Sequence, residues 1–244
     1  MNGFVVKCVK DIERLWSVGF VLLASLSLVS FNLIFGRAVS PARGTFGSWM
    51  EVYDSFWNLV HVFFLFCIVM GASGIGEEIS QRTIRLWLLR PYSRAHFLLV
   101  SEGVGLASVI VLFCVPVAFL VATRIRVGAM PKEFTSPLPL VMNSLLVGLA
   151  LFSASRFATL KTQSPKTAIT TVIACVILLE VLGESLPKRL AAFVPRIEPL
   201  VEPGLILVNR SWSYPTFQTI LVCVGLTTFL LSGLKIFRQL DIRL

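Results

Sequence analysis

Apolar residues in this chain fall in long blocks rather than at the alternating spacing of strands or the narrow stripe of a water-facing helix. Six stretches are apolar enough to cross a bilayer as helices: about 16–35, 56–76, 97–122, 138–157, 167–185 and 216–236. A hydrocarbon core about 30 Å thick requires about 20 such residues, because each residue of an α-helix rises 1.5 Å. Ahead of the first block, Phe4, Val5, Cys8, Ile12, Leu15 and Trp16 recur at helical spacing, while Lys7, Lys10, Asp11 and Arg14 take the other side. That pattern predicts an amphipathic helix over 3–15 lying in the membrane surface. The block behind it is long and has no small-residue cleavage site, so it reads as a retained span rather than a signal peptide.

The segments between the blocks differ in kind. Residues 36–55 hold Pro41, three glycines and Asp54, which suits a flexible exposed loop. Residues 186–215 interleave Pro187, Pro195, Pro199, Pro203 and Pro215 with Leu190, Phe193, Val194, Ile197, Leu200, Leu205, Ile206 and Leu207. This stretch is too apolar for a loop in water and too rich in proline for a span, and predicts short re-entrant or interfacial helices before the last span. The expected architecture is one all-α integral membrane domain over 1–244, with six transmembrane helices.

Composition agrees with that solvent. Of the 244 residues, 56% are hydrophobic and 14% charged, against about 45–50% and about 25% in soluble domains. A disordered tail, a collagen-like fibre and a disulfide-stapled secreted module are all excluded. The net charge of +9 would suggest nucleic acid on a soluble protein. Here the basic residues are scattered between apolar blocks, so they read as anchors at anionic lipid and not as a nucleic-acid surface. With six spans both termini share a side, and placing them in the cytosol puts 13 of the 22 basic residues inside and 9 outside. That bias favours cytosolic termini. Cys8, Cys67, Cys114, Cys175 and Cys223 show no pairing rhythm, so neither a disulfide nor a metal site is expected.

The most informative segment is GASGIGEEISQRTIRLWLLRPYSRAHFLLVSEGVG, from Gly71 to Gly105. Gly71, Ala72, Ser73, Gly74 and Gly76 suit close approach of a neighbouring helix within the membrane. From Glu78 to Leu89 the pattern is a charged helix, with Glu78, Gln81, Arg82 and Arg85 beside Ile79, Leu86 and Trp87, stopped by Pro91 and followed by the capping candidate Ser93. A basic amphipathic loop of this kind also follows from the positive-inside rule alone.

The order of residues in this loop resembles the cytosolic loop of ABC-2-type transporter permeases, through Glu78, Thr83, Leu86, Leu88, Leu89, Arg90, Pro91, Ser93 and Arg94. The resemblance extends to the amphipathic N-terminal helix, the six spans, the long apolar last outer loop and the short basic tail KIFRQLDIRL. Two positions depart from it, with Arg82 where the family usually has glycine before the threonine, and Ser101 and Glu102 where it has a lysine early in the third span. The resemblance implies a permease subunit of an ATP-driven exporter in a prokaryotic cell membrane. Two such chains, identical or not, would form the pathway, and two separate ATPase subunits would hold ATP and Mg. The chain itself has no Gly-x-x-x-x-Gly-Lys phosphate loop, so no cofactor and no hydrolysis are expected on it.

In that setting the 77–96 loop acts as a lever. A charged helix joined to two spans can sit in a groove of the ATPase and tilt those spans as the ATPase dimer closes. The docking contacts implied by the resemblance are Glu78, Arg82, Thr83, Arg85, Arg90 and Arg94, with Pro91 and Ser93 setting the exit angle. Candidates for the pathway itself are His61 and Phe64 in the second span and Glu180 and Glu184, one helical turn apart, in the fifth. Glu180 can equally form a structural bridge, and His61 can equally bond to a neighbouring helix. Glu102, about five residues into the third span, reads better as one half of an ion pair with a cytosolic arginine than as a transport residue.

Two other classes compete with transport. Glu77, Glu78 and Arg82 spell Glu-Glu-x-x-x-Arg, which resembles the first motif of CAAX-type membrane proteases, but the only histidine after it is His96 and no later span carries one. A non-transporting scaffold subunit is the other, and it gives no reason for a charged loop that ends in RPYSR.

Overall fold

The computed structural model describes residues 9, 12–13, 44–80, 94–127, 137–185 and 216–239. These residues form five long helices, and no strand occurs among them. We number them α1 (Gly44–Ser80), α2 (Arg94–Val127), α3 (Pro137–Thr162), α4 (Pro165–Ser185) and α5 (Thr216–Gln239). All five are long and apolar enough to cross a membrane. They correspond to the second through sixth blocks of the sequence. The first block at 16–35 and the apolar segment at 186–215 lie outside the described residues, as does the surface helix at 3–15 apart from Val9, Ile12 and Glu13, which are helical.

Three boundaries differ clearly from expectation. Helix α1 begins at Gly44, inside the segment read as a flexible loop, and α2 and α3 continue to Val127 and Thr162, past the ends of their apolar blocks. Hydropathy reports where a helix meets hydrocarbon, whereas the backbone ladder continues until a breaker or cap ends it. The α3–α4 corner shows such an ending. Gln163 takes the left-handed conformation, with φ of 56°, and its N–H donates to Thr159 O at 2.8 Å, as in a helix C-terminal cap. Ser164 then caps α4, its Oγ accepting from Thr167 N at 3.4 Å. Pro165 takes the first helical position, where a missing N–H costs nothing.

Contacts between named residues fix the directions of the helices. Phe152 and Arg156 of α3 lie against Gly71 and Gly74 of α1, so α1 and α3 run parallel. The side chains of Phe152 and Arg156 meet Gly105 and then Ser101 and Glu102 of α2, so α2 runs the other way. Phe157 meets Phe229 and Leu160 meets Gly233, which makes α5 parallel to α3. Helix α3 touches all four others and is the centre of the bundle. The C-terminal ends of α1, α3 and α5 and the N-terminal ends of α2 and α4 therefore share one end, called here the loop end because the 81–93 connection leaves from it.

Small residues permit this packing. Phe152 is fully buried and wedged between Gly71 of α1 and Gly105 of α2. Any Cβ on Gly71 would collide with the Phe152 carbonyl, and any Cβ on Gly105 with the Phe152 ring. Gly148 receives Phe63 and Cys67 in the same way. Glycine opposite a large ring lets apolar helices approach closely enough for van der Waals contact to hold them, which matters where lipid is as apolar as the protein interior. The core divides into two layers. The larger contains Phe63, Phe66, Phe113, Val147 and Phe152, with the Phe63 and Phe113 rings 4.9 Å apart. The smaller, at the loop end, joins Ile75 of α1, Leu98 of α2, Leu160 of α3 and Phe237 of α5, with Phe97 stacked on Phe237 at 5.9 Å.

Candidate functional site

Between those two apolar layers lies a band of polar side chains. Its centre is Arg156, one turn beyond Phe152 and one turn short of Leu160 on α3. Arg156 Nε lies 3.1 Å from Glu102 Oε1, with side-chain exposures of 2% and 12%. Arg156 Nη2 donates to Ser101 Oγ of the same helix as Glu102. Its Cζ is 5.7 Å from the centroid of the Phe152 ring, within cation–π range. The fourth wall is α1: a Cβ on Gly74 would sit 3.8 Å from Arg156 Nη1, so the guanidinium occupies the junction of three helices.

The surrounding hydroxyls tie the same helices together. Ser155 Oγ donates to Ile68 O across the α1–α3 interface at 2.6 Å. Thr159 Oγ1 donates back to Ser155 O at 2.9 Å, and its methyl faces Gly76, whose Cβ would come within 2.7 Å of it. Glu102 Oε2 is buried and accepts no hydrogen bond among the described residues, so charge compensation for this carboxylate comes from Arg156. Ionised groups at membrane depth are expensive and persist when paired in the bundle interior. Both depths are modest: Arg156 lies six residues from the end of α3 and Glu102 eight from the start of α2, roughly 9 and 12 Å along the axes.

The expected site residues fall in four places. Arg82, Thr83, Arg85, Arg90, Pro91 and Ser93 lie outside the described residues, and Arg94 opens α2. Glu78, read as a docking contact, is only 1% exposed. In this chain it is an interior residue in the last turn of α1 rather than a surface one, because the face carrying Gly71, Gly74 and Ile75 packs inward and Glu78 continues it at helical spacing. His61 is exposed and Phe64 buried on α1. Glu180 is half-buried on α4, and Glu184 lies in the last turn of that helix. Axial spacing puts His61 roughly 25 Å from Glu78 and Glu180 roughly 22 Å from Pro165, so neither joins the polar band. His96, at the start of α2, is at the loop end, opposite His61.

Arg156 is the residue that sequence reasoning missed. It stands near the end of the 138–157 block and lies in the interior as the partner that Glu102 required. A signal for this was present: Ser153, Ser155 and Arg156 stand between Leu151–Phe152 and Leu160, a polar stripe inside an apolar helix. Among the described residues, no group of three or more His, Cys, Asp or Glu side chains converges as a metal site would require. Compared with family models and with curated proteins, the chain matches none.

Proposed function

We propose that this chain is the membrane-spanning permease subunit of an ATP-driven exporter of the ABC-2 type, working as a dimer above two separate ATPase subunits. The observation that carries the reading is the order of residues from Glu78 to Arg94, an acidic residue followed by a threonine, a leucine-rich turn and Arg-Pro-x-Ser-Arg. The geometry of the described helices supports it. The loop joins α1 to α2, and both of these pack on the central helix α3, so a load applied at 81–93 enters the middle of the bundle rather than its edge. Burial of Glu78 moves the docking role to Arg82, Arg85 and Arg90, and leaves Glu78 to fix the end of α1. The exported compound is hydrophobic or amphipathic in this reading, since the spans offer aromatic and aliphatic surface with few carboxylates.

The test is purification of the detergent-solubilised chain from its own cells, with identification of partners and an ATPase assay. A stoichiometric ATPase is expected, with turnover that responds to exported compounds. The Arg85→Ala/Arg90→Ala double variant is expected to keep the partner's basal hydrolysis and lose transport-stimulated turnover. A chain that purifies alone, with no nucleotide-dependent activity in any fraction, defeats the proposal.

A further inference from the structure

The ion pair lies between two closed apolar layers. On the far side Phe152, pressed between Gly71 and Gly105, closes the bundle, and on the loop side Ile75, Leu98, Leu160 and Phe237 close it again. A charge pair enclosed in this way is a poor source of stability, because desolvation offsets most of its attraction and a well-packed apolar pair commonly does as well. Its distinctive property is geometric. On the loop side of the Phe152–Gly105 contact the meeting ridges of α2 and α3 are otherwise apolar and do little to select one register, since lipid and protein contacts are alike. A guanidinium held by Glu102 and Ser101 has one register, because a one-turn slip would strand both charges in hydrocarbon.

We propose that Arg156 and Glu102 are positioning residues that lock the axial register of α2 against α3, so that the helix leaving the 81–93 loop and the central helix move as one body. The transport consequence rests on the exporter reading, whereas the register lock itself does not. The guanidinium also abuts Gly74, which places α1 against the same joint. Both helices that carry the loop thus meet the central helix where Arg156 lies.

The experiment places spin labels at Leu99 of α2 and Lys161 of α3, both exposed, in the full chain with its five cysteines replaced by alanine. Distance distributions and melting temperatures are measured in lipid nanodiscs for the native pair, the apolar pair Glu102→Leu/Arg156→Met and the exchanged pair Glu102→Arg/Arg156→Glu. A single narrow distance is expected for the native and exchanged pairs. The apolar pair is expected to melt close to the native temperature yet give a broadened or two-peaked distribution, and to lose about tenfold in transport-stimulated ATP turnover, a typical size for a coupling effect. An apolar pair that keeps the narrow distance overturns the proposal. If the apolar pair does not accumulate, Arg156→Lys is read instead, since it keeps the charge and loses the fork; broadening supports the lock and a native distribution overturns it. Broadening in a chain that has no ATPase partner supports the lock and removes the exporter reading.

Discussion

Helices α3 and α5 make an instructive contrast. Over their span windows α3 has a mean hydropathy of 1.4 and is 56% buried, while α5 has 2.1 and is 11% buried. Helix α4 behaves like α5, at 1.8 and 11%. The less apolar helix is the central one, the reverse of a soluble core. Lipid solvates Ile177, Leu178 and Val181 of α4, or Ile220, Val224 and Leu231 of α5, as well as protein would, so apolar content provides no reason to bury them. Ser155, Arg156 and Thr159 of α3 are buried and partnered there, because hydroxyls and charges at membrane depth find partners only inside the bundle.

The contrast can be broken most severely at the ion pair. Arg156→Met leaves the Glu102 carboxylate buried without a counter-charge and is expected to cost about 3–5 kcal/mol, read as a large fall in melting temperature of the purified chain. An unchanged melt would show that the pair is not buried as described. Next comes a matched pair of glycines. Gly71→Val drives a side chain into the Phe152 backbone and is expected to cost about 1–3 kcal/mol. Gly225→Val on α5 has only the edge of Phe229, at 4.0 Å, to meet, and should stay within about 0.5 kcal/mol of native.

A smaller effect separates two hydroxyls. Ser155→Ala removes a bond from α3 to α1, expected to be worth about 0.6 kcal/mol and at most about 1.7. Thr228→Val removes a bond to Val224 O within α5 itself and is expected to leave the melting temperature unchanged. The finest test is opposite in sign. A methyl group added at Gly103 of α2 would meet no atom within 4 Å, so Gly103→Ala should stabilise by about 0.5–1 kcal/mol through helix propensity alone. A loss there would mean that Gly103 faces a partner in the assembled protein.

Much of the fold was legible in the residues. Five of the six apolar blocks coincide with described helices, and α3 and α4 part at Ser164-Pro165, a cap followed by proline. The glycines at 71, 74 and 76 marked a close helix contact, and Gly71 and Gly76 prove to be pressed against α3 and the start of α4. The helical ends extended past the blocks because hydrogen bonding continues where hydropathy does not. The candidate site was legible only in halves. Glu102 called for an arginine, but nothing local to Glu102 identified residue 156. Glu78 carried a charge that pointed to the surface, and the inward rotation of α1 buried it.

The amino-acid sequence by itself determined that the described part of this chain is helical, where its apolar spans lie and that a bilayer suits them, because those properties depend on local composition over about 20 residues. Which helix stands at the centre, which charges are buried and which pair with each other were decided by tertiary structure. A pairing such as Glu102 with Arg156 depends on how α2 and α3 are rotated and slid against one another. Hydropathy is nearly indifferent to that choice, since an apolar side chain gains about as much from lipid as from a neighbouring helix. Glycine size, hydroxyl partners and one buried ion pair make the choice instead.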